Sequence, residues 1–254
     1  MRLYIGNSGE DQMNSFLLAI QFLTRIPVFI KTDFSEKEAG KSLFWFPWIA
    51  FLMGTIVASV NNYFYDIGPL YAAFLGLLAW YLLNGGIHVD GLMDTADGFL
   101  SNRERDRIAE IMHDSTIGTF AVLSLAMVLL GKFAVLASVA IQPVEMGILF
   151  ASARMGLLTA IHFFPSAKSS SMGNFFKKRA SKNSYYLQWL ILAAVIFFTR
   201  GASYFLYPMA ACLYGALFAR WSVKKIGGLT GDVYGAIVET AELLVLILFG
   251  VFFS

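Results

Sequence analysis

Residues 117–141 read IGTFAVLSLAMVLLGKFAVLASVAI, with Lys132 as the single charged side chain. A run of that length with one charge is a bilayer-spanning helix, because about 20 apolar residues rising ~1.5 Å each cross a hydrocarbon core of ~30 Å. Working outward, further apolar segments fall at 13–30, 43–65, 68–84, 146–164, 185–199, 202–219 and 235–253, joined by polar connections. Gln21, Arg25 and Pro27 interrupt the first of these, which reads equally as an interfacial or half-inserted helix. The other seven are expected to span. The fold class is therefore all-α: a polytopic membrane helical bundle of about seven spans, with residues 1–254 forming one integral membrane domain.

Composition agrees and removes other classes. Of the 254 residues 57% are hydrophobic and 14% charged, outside the range of an ordinary soluble globule. A net charge of +2, without basic runs interleaved with aromatics, argues against nucleic acid as a partner. Cys212 is the only cysteine, so one chain can build neither a disulfide nor a thiolate metal cage. The opening Met1 to Gln12 is polar and holds Glu10 and Asp11, unlike a cleaved signal peptide.

Basic residues fall on alternate connections. Lys31, Lys37 and Lys41; Arg103, Arg105 and Arg107; Lys168, Lys177, Lys178, Arg179 and Lys182; and Arg220, Lys224 and Lys225 all lie on one set. The opposite set, near Asp66, Glu145 and Arg200, holds a single basic residue. The excess puts the three long connections, 85–115, 166–183 and 220–234, in the cytoplasm and the C-terminus outside.

The chemistry concentrates in the first of those connections, GGIHVDGLMDTADG at 85–98. Asp90, Asp94 and Asp97 stand at i, i+4 and i+7, within about 60° of one another if the segment is helical. Three like charges on one stripe repel, and the simplest counter-charge for hard oxygen ligands is Mg²⁺. Glu110 and Asp114 form a second i, i+4 row just before the next span. Two such rows facing each other across a turn can hold one or two divalent ions. The plainer reading of each acid is a solvated helix face or a cap; it is weakened because few aspartates lie elsewhere.

A substrate that bridges carboxylate-bound metal and arginine is typically a phosphate or diphosphate, with Arg103 the first candidate contact. Arg154 lies inside an apolar segment and is expected to point into a polar cavity, whereas Lys132 can reach an interface by its long stem. His88, beside the acidic row, is a candidate substrate contact. A second motif, GGLTGDVYGA at 227–236, opens the last apolar segment. Its backbone at Gly228, Thr230, Gly231 and Asp232 could cradle phosphate oxygens, or it could be a turn capped by Thr230 or Asp232. Glu239 and Glu242 follow inside the span and are expected to wall the same cavity.

The ordered series Phe22-Leu23-Thr24-Arg25-Ile26-Pro27, Gly85 to Gly98, Arg105-Asp106-Arg107, Glu110 to Ser115, Gly118-Thr119, Ser152 to Arg154 and Gly227 to Glu242 resembles the cobalamin synthase (adenosylcobinamide-GDP ribazoletransferase) family. The resemblance covers most of the chain. It implies a Mg²⁺-dependent transferase of the cell inner membrane. A ribose hydroxyl of α-ribazole, or of its 5′-phosphate, attacks the cobinamide-side phosphorus of adenosylcobinamide-GDP, and GMP leaves. In that reaction Asp114 is the candidate base, the carboxylates hold metal, and the expected partners are the two substrates and the lipid bilayer. A homo-oligomer stays open.

Asp94-Thr95-Ala96-Asp97-Gly98 is also similar to the start of the CDP-alcohol phosphotransferase motif, although the spacing to Glu110 and Asp114 is shorter and an Ala-Arg pair is absent. A lipid synthase of that kind is thus an alternative. A cation or corrinoid transporter is another, of a different class.

Overall fold

The computed structural model describes residues 8–30, 32–167 and 170–253. The readings placed on Lys31, Lys168 and the start of the polar opening fall outside those residues. Twelve α-helices follow one another: α1 Ser8–Leu23, α2 Glu36–Ser42, α3 Phe46–Tyr63, α4 Pro69–Asn84, α5 Ile87–Leu100, α6 Arg105–Met112, α7 Thr119–Ser138, α8 Pro143–Phe163, α9 Ser171–Lys177, α10 Lys182–Thr199, α11 Leu206–Ile226 and α12 Gly231–Phe253. Among the described residues the only β pairing is a single bridge between Ser166 and Leu229. The chain is an all-α polytopic bundle.

Among the described residues five helical stretches are long and apolar enough to cross a membrane: Glu36–Ile67, Thr119–Ser138, Pro143–Phe163, Ala202–Ile226 and Gly231–Phe252. A sixth is reached if α4 and α5, bent by 92°, form one broken span. The seven expected apolar segments also include α10, whose first turn is polar (Lys182-Asn183-Ser184), leaving too short an apolar stretch to meet the same standard. α1 stops at Leu23, before Arg25 and Pro27, and is not among the long apolar helices.

α8 is the centre. It is 89% buried, starts from a Gln142–Glu145 capping box with Pro143 in its first turn, and packs on α3 and α11. Lipid tails are as apolar as side chains, so close contact between membrane helices depends on small residues. Gly156 and Gly215 meet backbone to backbone where α8 crosses α11, and Gly54 lies against the Met146 carbonyl where α3 crosses α8. α7 is the opposite case: Leu123, Met127 and Leu130 are exposed, and only 22% of it is buried. Those side chains form a lipid-facing surface.

Two connections are more helical than their polarity suggests. The 85–115 stretch is α5 and α6, and 166–183 contains α9. The expected 220–234 connection shrinks to residues 227–230, because Arg220, Lys224 and Lys225 continue α11. Charged residues cost an amphipathic helix end nothing at a membrane surface, so polarity overstated the loop.

Candidate active site

The site begins at the α4–α5 corner. Gly85 and Gly86 adopt φ of 66° and 77°, left-handed values that side chains avoid, and α5 leaves nearly at right angles to α4. The Arg25 side chain packs directly on Gly85, and the Arg25 N–H donates to the Leu83 carbonyl at 2.8 Å. α5 then lies against the start of α12. A Cβ at Gly91 would stand 2.7 Å from the Asp232 carbonyl oxygen, and one at Gly235 would stand 2.8 Å from that of His88. Two glycines thus let the motif at 85–98 and the motif at 227–236 touch, although they are far apart in sequence.

Between them opens a cavity of about 800 Å³ lined by Asp90, Asp94, Asp97, Asp114 and Asp232, with His88, His113, Thr230 and Gly231. Among the described residues, no lysine or arginine lines it. Asp94 has Asp90 and Asp97 of α5 and Asp232 of α12 as like-charged neighbours. Asp97 is already engaged: its two oxygens accept from the Gly118 N–H at 2.6 Å and the Ala121 N–H at 2.9 Å, capping α7 from outside. Asp114 is exposed and accepts from the Thr116 N–H at 2.9 Å, which holds its carboxyl below the usual carboxylate range. No three His, Cys, Asp or Glu among the described residues form a ready-made metal cage.

A family model for cobalamin-5-phosphate synthase matches residues 15–250. The chain belongs to that family. An adenosylcobinamide-GDP ribazoletransferase of Treponema denticola is 36% identical over 257 residues, covering 92% of this chain and 96% of its own. Proteins of the same description from Brevibacillus brevis and Desulforamulus reducens are 35% and 38% identical, each over 92% of this chain and 97% and 95% of their own. No solved structure matches the chain.

In this member of the cobalamin-5-phosphate synthase family, several expected residues sit elsewhere. Glu110 does not line the cavity; it pairs with Arg107, three residues back along α6, at 2.5 Å. Arg103 lines a second cavity with Arg105, Lys224 and Lys225. Gly228 serves packing: it lies against the Ser166–Ala167 backbone, and the flanking Leu229 exchanges 2.9 Å hydrogen bonds with Pro165 and Ala167. Thr230 caps α12, its hydroxyl accepting from the Val233 N–H at 3.3 Å.

Arg154 is fully buried behind the cavity, not in it, and donates to Glu242 at 2.7 Å. Lys132 does not reach an interface. It is buried over the Trp80 ring and donates to Glu239 at 2.8 Å and Glu242 at 2.6 Å. Trp80 Nε1 donates to Glu242 as well, at 3.1 Å. Glu239 and Glu242 thus belong to a quartet of two acids and two bases tying α7, α8 and α12 together, with Trp80 joining α4 to it, as charges inside a membrane must be paired.

Sequence reading missed the apolar part of the lining. Phe22, Phe46, Met172 and Phe176 line the cavity, Phe22 and Phe176 with ring centroids 4.8 Å apart. Only the Phe22–Pro27 segment hinted at it, because aromatic residues in a membrane chain are too common to single out by composition.

Proposed function

We propose that this chain joins adenosylcobinamide-GDP to α-ribazole, or to its 5′-phosphate, releasing GMP, with Mg²⁺ in the carboxylate cavity at the cytoplasmic face of the cell membrane. The observation that carries it is a cavity that gathers five carboxylates and, among the described residues, no lysine or arginine. A diphosphate enters such a place only together with cations. The donor set suits Mg²⁺, which keeps waters and takes one or two carboxylates plus substrate phosphate, so a closed protein cage is not required. Among the described residues Asp90 and Asp94 accept no hydrogen bond, and with Asp114 and Asp232 they would hold it; Asp97 is partly committed to α7. When bound, Mg²⁺ neutralises the diphosphate and the departing GMP.

The chain's own residues do the rest. The ribazole hydroxyl oxygen bonds to the cobinamide-side phosphorus as the bond from that phosphorus to GMP breaks, and the hydroxyl proton passes to Asp114. Asp114 is deprotonated at neutral pH and open to the cavity, as that task requires. His88, nine-tenths buried, lines the cavity, and its buried Nδ1 has no partner among the described residues. Thr230 and Gly231 set the N-terminus of α12 there, a favourable field for phosphate. Phe22, Phe46 and Phe176 form an aromatic side of the cavity, against which the flat base of α-ribazole would lie.

The names of the relatives favour this reading over a CDP-alcohol enzyme. The membrane-embedded charges pair with one another and do not line the cavity, which takes support from a transporter. Purified protein in neutral detergent, given Mg²⁺, adenosylcobinamide-GDP and α-ribazole, should release GMP, and Asp94→Asn should lower that rate at least ~100-fold. Folded wild-type protein that releases none would reject the proposal.

A further inference from the structure

A second cavity, of about 370 Å³, is lined by Arg103, Arg105, Ile108, Trp221, Lys224 and Lys225. Four of its six lining residues are cations and none is an acid. None of the four cations is ion-paired among the described residues, although Arg107, in the first turn of α6 beside Arg105, has a partner. Like charges gathered around one hollow repel unless an anion joins them.

Lys224 and Lys225 alone have a plain explanation. They occupy the last turn of α11, where cations complement the helix dipole and anchor the helix at a membrane surface. The arginines do not share it, because they come from the α5–α6 junction. Asn102, the one non-glycine residue with positive φ (53°) among the described residues, turns the chain there. Arg105 lies so close to Gly227 that no Cβ would fit, and Gly227 itself has φ of 79°. Its guanidinium, although exposed, rests against the Gly227 backbone. Trp221 stands edge-on to Phe99 at 5.0 Å and to Phe218 at 5.4 Å, which fixes the aromatic floor.

We infer that this hollow is an anion site for a phosphate ester, separate from the carboxylate cavity and carrying opposite charge. Planar guanidinium forks match phosphate oxygens, and the volume suits a small headgroup or a nucleotide phosphate. An anionic lipid headgroup and a free phosphate share that chemistry, and the experiment separates them. The inference stands whether or not the transferase reading does.

The full chain, labelled with 5-fluorotryptophan in neutral detergent, has five tryptophans, and Trp221→Phe identifies the reporter signal. Inorganic phosphate, GMP, short-chain phosphatidylglycerol and short-chain phosphatidylcholine are titrated in turn while ¹⁹F NMR is recorded. Saturable movement of the Trp221 signal is expected with at least one anionic probe and not with phosphatidylcholine. Response to phosphatidylglycerol alone identifies a lipid headgroup; response to phosphate or GMP identifies a free phosphate. In Arg105→Gln/Lys224→Gln the midpoint should rise about tenfold or more while the other four signals stay in place, showing an intact fold. If those signals move, Lys225→Gln serves instead, with a smaller rise expected. A Trp221 signal that follows no anionic probe, or an unchanged midpoint in the variants, overturns the inference.

Discussion

Asp94 and Asp97 differ by one helical turn and do opposite work. Asp97 accepts two backbone N–H groups at the start of α7, so it stabilises the fold directly. Asp94 has like-charged neighbours in Asp90, Asp97 and Asp232, a repulsion that costs the fold and that the proposed metal would relieve. Asp97→Ala should cost about 1–3 kcal/mol and lower the melting temperature in detergent. Asp94→Asn should melt no earlier than wild type while losing activity. Scanning calorimetry of both variants checks the contrast, and a large destabilisation by Asp94→Asn would contradict it. The Lys132–Glu239–Glu242–Arg154 quartet is likewise held by mutual pairing: each charge alone would cost several kcal/mol, and together they balance.

At the scale of elements, α9 matters more than its seven residues suggest. Ser170 caps it, accepting from the Gly173 N–H at 2.8 Å, and Phe176 reaches from it to the cavity. Phe176 also meets Phe46, with ring centroids 5.7 Å apart, so one short helix closes an aromatic side of the site against the first two segments of the chain. If that side receives the base of α-ribazole, Phe176→Ala should raise the KM for α-ribazole about tenfold with kcat little changed. Phe176→Leu keeps bulk without a ring face and separates stacking from packing. Steady-state kinetics with α-ribazole as the varied substrate decides it; an unchanged KM in both variants removes Phe176 from substrate binding.

For the molecule as a whole, the excess of basic residues on one set of connections predicts which end meets the cytoplasm. In a Cys212→Ser background, Lys182→Cys and Ser203→Cys place exposed thiols at or near the two ends of α10. A membrane-impermeant maleimide applied to intact cells should label only the Ser203 variant. Labelling of the Lys182 variant alone would invert the arrangement and put the carboxylate cavity outside.

The sequence by itself determined the all-helical membrane class, the stripe of aspartates on α5 and the family. Each is a local property: apolar run length, a spacing of 4 and 3 along a helix, and an ordered set of motifs are visible without knowing what packs where. Glu110 and Asp114 show the limit, since the same i, i+4 spacing left one on the outer side with Arg107 and sent the other to the cavity. Tertiary structure alone decided that Asp232 joins the α5 acids, that Lys132 finds Glu239 and Glu242 across 107 and 110 positions, and that Arg103 belongs to a separate basic hollow. The physical reason is that a buried charge or a shared cavity is settled by which helices cross. Those crossings depend on small residues such as Gly91, Gly156 and Gly235, whose meaning appears only once their partners are beside them.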